Sequence, residues 1–157
     1  MTTPLAPVVV DVGKTGSGAV AAGRSAQPLL LGVAGQAAIL YVHRDAGERE
    51  YIAYKRASGS YQEDWPAVPL RVTSAAWIDA NCVDASSNTV DGVRLAGRYA
   101  ARYTKNRVTM AVACLDKLFY VVSSDAYGYQ YETPVLIAQR SGYVYSNAVM
   151  REVQNGA

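Results

Sequence analysis

Charge is what this sequence has least of. Asp, Glu, Lys and Arg make up 18 % of its 157 residues and nearly cancel, leaving a net charge of +2. A chain so weakly charged has no surplus of cations with which to neutralise a phosphate backbone or an anionic lipid surface, so neither nucleic acid nor a membrane is expected as a partner. Histidine is nearly absent: the one copy, His43, cannot supply a multi-histidine metal set, and no cofactor is expected. The two cysteines, Cys82 and Cys114, form no CxxC. A single disulfide is open but not suggested by the spacing, and two buried free thiols are expected. Long hydrophobic runs are missing too. The longest, residues 28–42, is interrupted by Gly32, Gly35 and Gln36, which excludes a membrane-spanning helix there. The opening MTTPLAPVVVDV has no basic start and no sustained apolar centre, so no secretory signal is expected.

Apolar residues, in contrast, make up 50 % of the chain, enough for a packed core in a single β domain over 1–157. The aromatic content is lopsided, with twelve Tyr against two Trp and one Phe. Tyr suits half-buried strands, and it also suits surfaces that must be both apolar and hydrogen-bonding.

The order of residues points to hairpins. Residues 1–12 read as an extended arm leading into a strand at 8–12, followed by a glycine-rich loop over 13–26. Strands are expected at 29–33, 38–44 and 49–56, the last with good alternation, Tyr51, Ala53 and Lys55 pointing one way and Ile52, Tyr54 and Arg56 the other. A polar loop at 58–69 leads to short strands at 70–73 and 75–78. Residues 107–115 and 118–124 form a second hairpin around Asp116-Lys117, and 133–139 with 143–149 form a third. Residues 93–104 fit either period: Arg94, Arg98 and Arg102 share a face as a strand and as a helix. Gly97, Tyr99 and Tyr103 favour strand, and if the chain has one short helix it is expected there.

Two stretches resemble each other. Each has an apolar run, a polar turn with Asp, a Tyr/Val/Ile-rich run, a Gly, a Tyr-Gln pair (Tyr61-Gln62, Tyr129-Gln130), a Glu and a Pro. This suggests an internal repeat over 10–78 and 83–139 and an all-β fold of repeated antiparallel hairpins, as a β-sandwich or jelly roll or as propeller-like blades. Two and a fraction blades cannot close a propeller, so that version requires a homo-oligomer.

Catalytic motifs fail one by one. GKTGSGAV at 13–20 has the glycine spacing of a phosphate loop, but Ala19 and Val20 stand where Lys and Ser/Thr must be. His43 lies mid-strand with no nucleophile in its motif. The acids Glu63-Asp64 and Glu48/Glu50 are local neighbours, whereas paired-carboxylate hydrolysis draws its acids from separate elements. No enzymatic activity is expected.

One turn carries a family resemblance. In SSDAYGYQYETPV, Ser123 or Ser124, Asp125, Gly128 and Tyr131 match positions of a loosened Asp-box, so the segment resembles the turn of sialidase-type β-propeller blades. It has one extra residue before the glycine and Tyr in place of Trp, and the first copy, RASGSYQEDWPAV, lacks the Asp. The resemblance implies a structural turn that fastens outer strands, and no catalysis.

The leading expectation is a non-enzymatic structural or assembly module. A phage-like coat, decoration or tail component is one such role, placed in the virion or, before assembly, in the host cytoplasm, with signal-free export as an alternative. Its partners would be copies of itself or other particle proteins. The competing expectation is a carbohydrate-binding module, in which Tyr61, Trp65, Tyr127, Tyr129 and Tyr131 stack on sugar faces. Arg94, Arg98 and Arg102 form a stripe suited to an anion or a subunit contact.

Overall fold

Local backbone preference sets two matching hairpins. In the computed structural model, which describes residues 28–44, 50–59, 64–82, 99–143, 145 and 150, strands β1 (Leu29–Val33) and β2 (Gln36–Arg44) meet at a two-residue turn, Ala34-Gly35. Both turn residues have positive φ, 46° and 78°. Two left-handed residues give the turn whose twist matches that of paired strands. Strands β5 (Tyr99–Thr104) and β6 (Arg107–Cys114) meet in the same way at Lys105-Asn106, with φ of 49° and 56°.

Each hairpin grows into a four-stranded antiparallel meander. β3 (Glu50–Arg56) and the two-residue β4 (Leu70–Arg71) complete the first sheet, and β7 (Lys117–Val122) and β8 (Val135–Gln139) the second. Strand order is sequential in both sheets. Beyond the third strand, each chain path is pinched by an isolated bridge, Ser58↔Asp64 in one and Ser123↔Tyr131 in the other. The fold is all-β with a single short helix among the described residues, α1 (Ala75–Asn81).

Register decides which side chains meet. Leu40 opposes Tyr54 and Val42 opposes Ile52 in the first sheet. Tyr99 opposes Val112, Met110 opposes Val121 and Val112 opposes Phe119 in the second. All of these are buried and belong to one apolar cluster, so the two sheets share a core. Two tyrosines tie them together: Tyr99 Oη donates to the Leu40 carbonyl at 3.2 Å, and Tyr54 Oη to the Tyr127 carbonyl at 2.6 Å. A phenol can be buried at this depth because its single donor is satisfied. Burial pushes both phenols well above their ordinary titration range.

The structure corrects two expectations. Residues 75–78 are the start of α1 rather than a strand, and the described part of the stretch in which a helix was expected is not helical. Residues 99–104 are strand β5, and the preceding part of that stretch lies outside the described residues. The cause is a cap. Ser74, in extended conformation, accepts a hydrogen bond from the Trp77 N–H at 3.1 Å, which starts the helix, and Cys82 closes it with its N–H on the Ile78 carbonyl at 2.8 Å.

The cysteines are also not free thiols. Cys82, at the C-cap of α1, and Cys114, the last residue of β6, form a disulfide with Cα atoms 4.6 Å apart. The bond links the helix to the second sheet, and Trp77 packs edge-on against Phe119, with ring centroids 4.8 Å apart, at the same junction.

Smaller shifts follow from turn chemistry. The β6–β7 turn is Leu115-Asp116, with Leu115 at φ 54°, so Lys117 already belongs to β7. After β8, Tyr143 and Tyr145 carry no strand pairing, and residues 144 and 146–149 of the expected return strand lie outside the described residues. So do the arm at 1–12, the loop at 13–26, and the turn at 45–48.

Candidate functional site

The most tightly organised surface feature is the turn after β7. It begins with Ser123, which is fully buried although polar. Its Oγ accepts from the Val108 N–H at 2.9 Å and donates to the Asp125 carbonyl at 2.7 Å. Its own carbonyl accepts from Arg107 Nη1 at 2.7 Å. The serine therefore welds the turn to the start of β6.

Asp125 folds the turn itself. Oδ1 accepts the backbone N–H of Tyr127 at 2.6 Å and of Tyr129 at 3.3 Å, and Oδ2 accepts that of Gln130 at 2.6 Å. Partial burial acts to raise this carboxyl, but the backbone donors of Tyr127, Gln130, Tyr129 and Gly128 outweigh it and hold the group below the ordinary carboxylate range. The acid is occupied with backbone amides, which is the task of a structural turn rather than of a proton-transfer group.

Gly128 lets the turn lie flat on the first sheet. Its φ is +78°, and a Cβ there would stand 2.8 Å from Cζ and 2.9 Å from Oη of Tyr54. No other residue permits both this backbone and this approach. With Tyr54 Oη donating to the Tyr127 carbonyl, the turn is seated on β3 across the sheet-to-sheet junction.

The seated turn presents two aromatic side chains. Tyr127 and Tyr129 are each 49 % exposed, with ring centroids 6.0 Å apart and planes inclined by 32°. Arg56, at the end of β3, completes the group. Its Cζ lies 5.1 Å from the Tyr127 ring centroid, and Nη1 donates to Tyr129 Oη at 3.5 Å. Nε and Nη2 donate to the carbonyls of Val33 and Ala34 at 3.0 and 3.1 Å, which fixes the guanidinium against the β1–β2 turn. Beside this group runs a cleft of about 260 Å³ lined by Tyr54, Arg56, Pro66, Val68, Leu70 and Tyr129.

The structure separates the sequence-expected residues. Tyr127 and Tyr129 stand together on the surface. Tyr131 does not join them: it packs edge-on against Tyr54, centroids 6.3 Å apart, and against the core. Its hydroxyl is buried without a hydrogen-bond partner among the described residues, and burial raises its titration far above the ordinary range. Trp65 is half-buried in the loop before β4, and Tyr61 lies outside the described residues. Of the arginine stripe, Arg102 is half-buried on β5, while Arg94 and Arg98 lie outside. Arg56 was not among the sequence-expected residues, because its contacts with Tyr127 and Tyr129 join elements 71 to 73 residues apart.

A second surface feature is a sheet edge that carries no further strand among the described residues. β8 borders the second sheet, and Val135, Leu136 and Ile137 are exposed by 57, 47 and 55 %. Ile137 falls at an irregularity in the pairing with β7: Leu136 opposes Phe119 and Ala138 opposes Leu118, so Ile137 has no opposite residue. At the far edge of the first sheet, Leu30 on β1 is 73 % exposed. Consecutive exposed apolar residues on an edge strand form a template for a further strand.

Among the described residues, no group of three or more His, Cys, Asp or Glu is arranged to hold a metal ion, and no helix is long and apolar enough to cross a membrane. Set against models of protein families, curated proteins and solved structures, the chain matches none of them.

Proposed function

We infer that this chain is a non-enzymatic assembly module that associates with copies of itself through its open sheet edges. The observation that carries this reading is β8, an edge strand with three successive exposed apolar residues. An edge of this composition is a liability in a protein that stays single, because it invites strand addition from any neighbour. In a subunit it is a joint. A subunit of a phage-like particle, as coat, decoration or tail component, is the class of role this suits. The Cys82–Cys114 disulfide supports service outside a reducing cytoplasm. The likeness of the Asp125 turn to an Asp-box fits such a module as a scaffold device that keeps the third strand and the following turn in place. Light scattering on the purified chain tests the reading. A mass above that of one chain, rising with concentration, supports it, and a strict monomer at the highest soluble concentration refutes it.

A second reading is carried by a separate observation, the Tyr127–Tyr129–Arg56 group. Paired exposed rings with a fixed cation suit the apolar face and hydroxyls of a sugar. Calorimetry with a panel of oligosaccharides checks it: Tyr127→Ala and Tyr129→Ala would each abolish binding while leaving the fold intact. Silence across the panel refutes it.

A further inference from the structure

We propose that β8 pairs antiparallel with β8 of a second copy about a two-fold axis through Leu136. The proposal rests on the assembly reading and specifies its surface and partner.

Charge placement selects both the partner and the register. Glu132 and Arg140 flank the strand, and both are exposed. Their backbones are fixed: the Glu132 N–H donates to the Val122 carbonyl at 2.9 Å, and the Arg140 N–H donates to the Asp116 carbonyl at 2.9 Å. The Arg140 guanidinium stands 3.8 Å above the Tyr143 ring, held at the strand's exit. When the strand is laid antiparallel on itself with Leu136 on the axis, Glu132 of each copy faces Arg140 of the other, so two opposite-charge pairs close the ends. Between them Val135 faces Ile137, and Leu136 faces Leu136. The exposed apolar residues thus meet one another, and the charges meet their opposites. Facing cross-strand pairs of these kinds stabilise a sheet, and like charges in the same positions oppose it. In this register Ala138 faces Pro134, which has no N–H to donate, so the shared ladder is centred on residues 135–137. Pairing about a two-fold axis uses up the edge in both copies, so the product is a closed dimer rather than a growing ladder.

Charge exchange tests this in the full-length chain by sedimentation across a concentration series. Glu132→Arg and Arg140→Glu each place like charges opposite each other twice per dimer, and each is expected to weaken the dimer about 10-fold or more. The double exchange Glu132→Arg/Arg140→Glu restores opposite charges and is expected to recover most of that loss, a result that misfolding of either single variant cannot mimic. Leu136→Lys on the axis is expected to abolish association while leaving the thermal transition of the monomer in place. A wild-type chain that is monomeric throughout overturns both this interface and the assembly reading. An oligomer indifferent to the single exchanges and to Leu136→Lys overturns the interface alone, and directs the search to β1 or to residues 1–27 as the contact.

Discussion

Gly128→Ala is the perturbation whose cost the structure defines most closely. Three effects act together. An L-residue at φ +78° is in the left-handed region, which costs about 1–2 kcal/mol. The new Cβ would lie 2.8 Å from Tyr54 Cζ and 3.0 Å from Val108 Cγ2, both in the core, so it overpacks a filled site at about 1–3 kcal/mol. Relief requires the Tyr54 ring to withdraw, but Tyr131 stands edge-on beside it, and withdrawal breaks the 2.6 Å bond from Tyr54 Oη to the Tyr127 carbonyl, about 1 kcal/mol more. Together the loss is roughly 3–6 kcal/mol, or a fall in Tm of roughly 6–24 °C for a domain of this length. Urea unfolding gives the free energy directly. The same substitution in a Tyr54→Ala background should cost less, down toward the backbone part of roughly 1–2 kcal/mol, because the ring it strikes most closely is gone and only the 3.0 Å approach to Val108 Cγ2 remains. A cost below about 1 kcal/mol in the native background, or an equal cost in both, would refute the seating of this turn on β3.

Other outcomes follow from the same contacts. Reducing Cys82–Cys114, or replacing both with Ala, opens a loop spanning a sequence separation of 32 and should cost roughly 3–4 kcal/mol, read as a lower urea midpoint under dithiothreitol. Asp125, whose folded titration lies below its ordinary value, contributes stability that is present above the unfolded carboxyl pKa and is lost as pH falls through the folded one. Asp125→Asn should therefore lower stability at neutral pH and flatten the acid limb of a Tm–pH profile. Tyr54 and Tyr99 titrate upward when folded, so their contribution is complete below the ordinary phenol range and is lost as pH rises beyond it. Absorbance near the phenolate band should show these phenols ionising only together with alkaline unfolding.

The hairpins were legible because local chemistry dictates them. The alternation over Glu50–Arg56 and the apolar run of β1 are strand signals that need no tertiary information, and the observed spans match them closely. The helix was misplaced because two apolar residues before Trp77 read equally well as a short strand. What decides the matter is Ser74 acting as a cap, a single side chain whose effect outweighs a four-residue pattern. The disulfide was illegible for a related reason: it depends on α1 ending where β6 ends, a meeting of elements far apart in the chain. At the candidate site, the Asp, Gly and Tyr of the turn were visible as a motif, but period-two reasoning placed Tyr127, Tyr129 and Tyr131 on one face. Residues 124–130 are a turn folded on the Asp125 carboxylate rather than an extended strand, so period two does not apply: Tyr131, bridged to Ser123, packs against the core and Tyr127 and Tyr129 stay outside. Arg56 joins them from a different sheet, beyond the reach of any local pattern.

The self-pairing of β8 is tested most directly by a cysteine on its axis. The native cysteines are joined to each other, so Leu136→Cys adds the chain's one reactive thiol among the described residues. Residues facing each other across antiparallel strands have Cα atoms about 4.5–5.5 Å apart, within the span of a disulfide. Under mild oxidation, Leu136→Cys should run as a covalent dimer on a non-reducing gel, and Gln139→Cys, which would face Thr133 instead of itself, should not. A Leu136→Cys chain that stays monomeric, or that links no faster than Gln139→Cys, contradicts the interface.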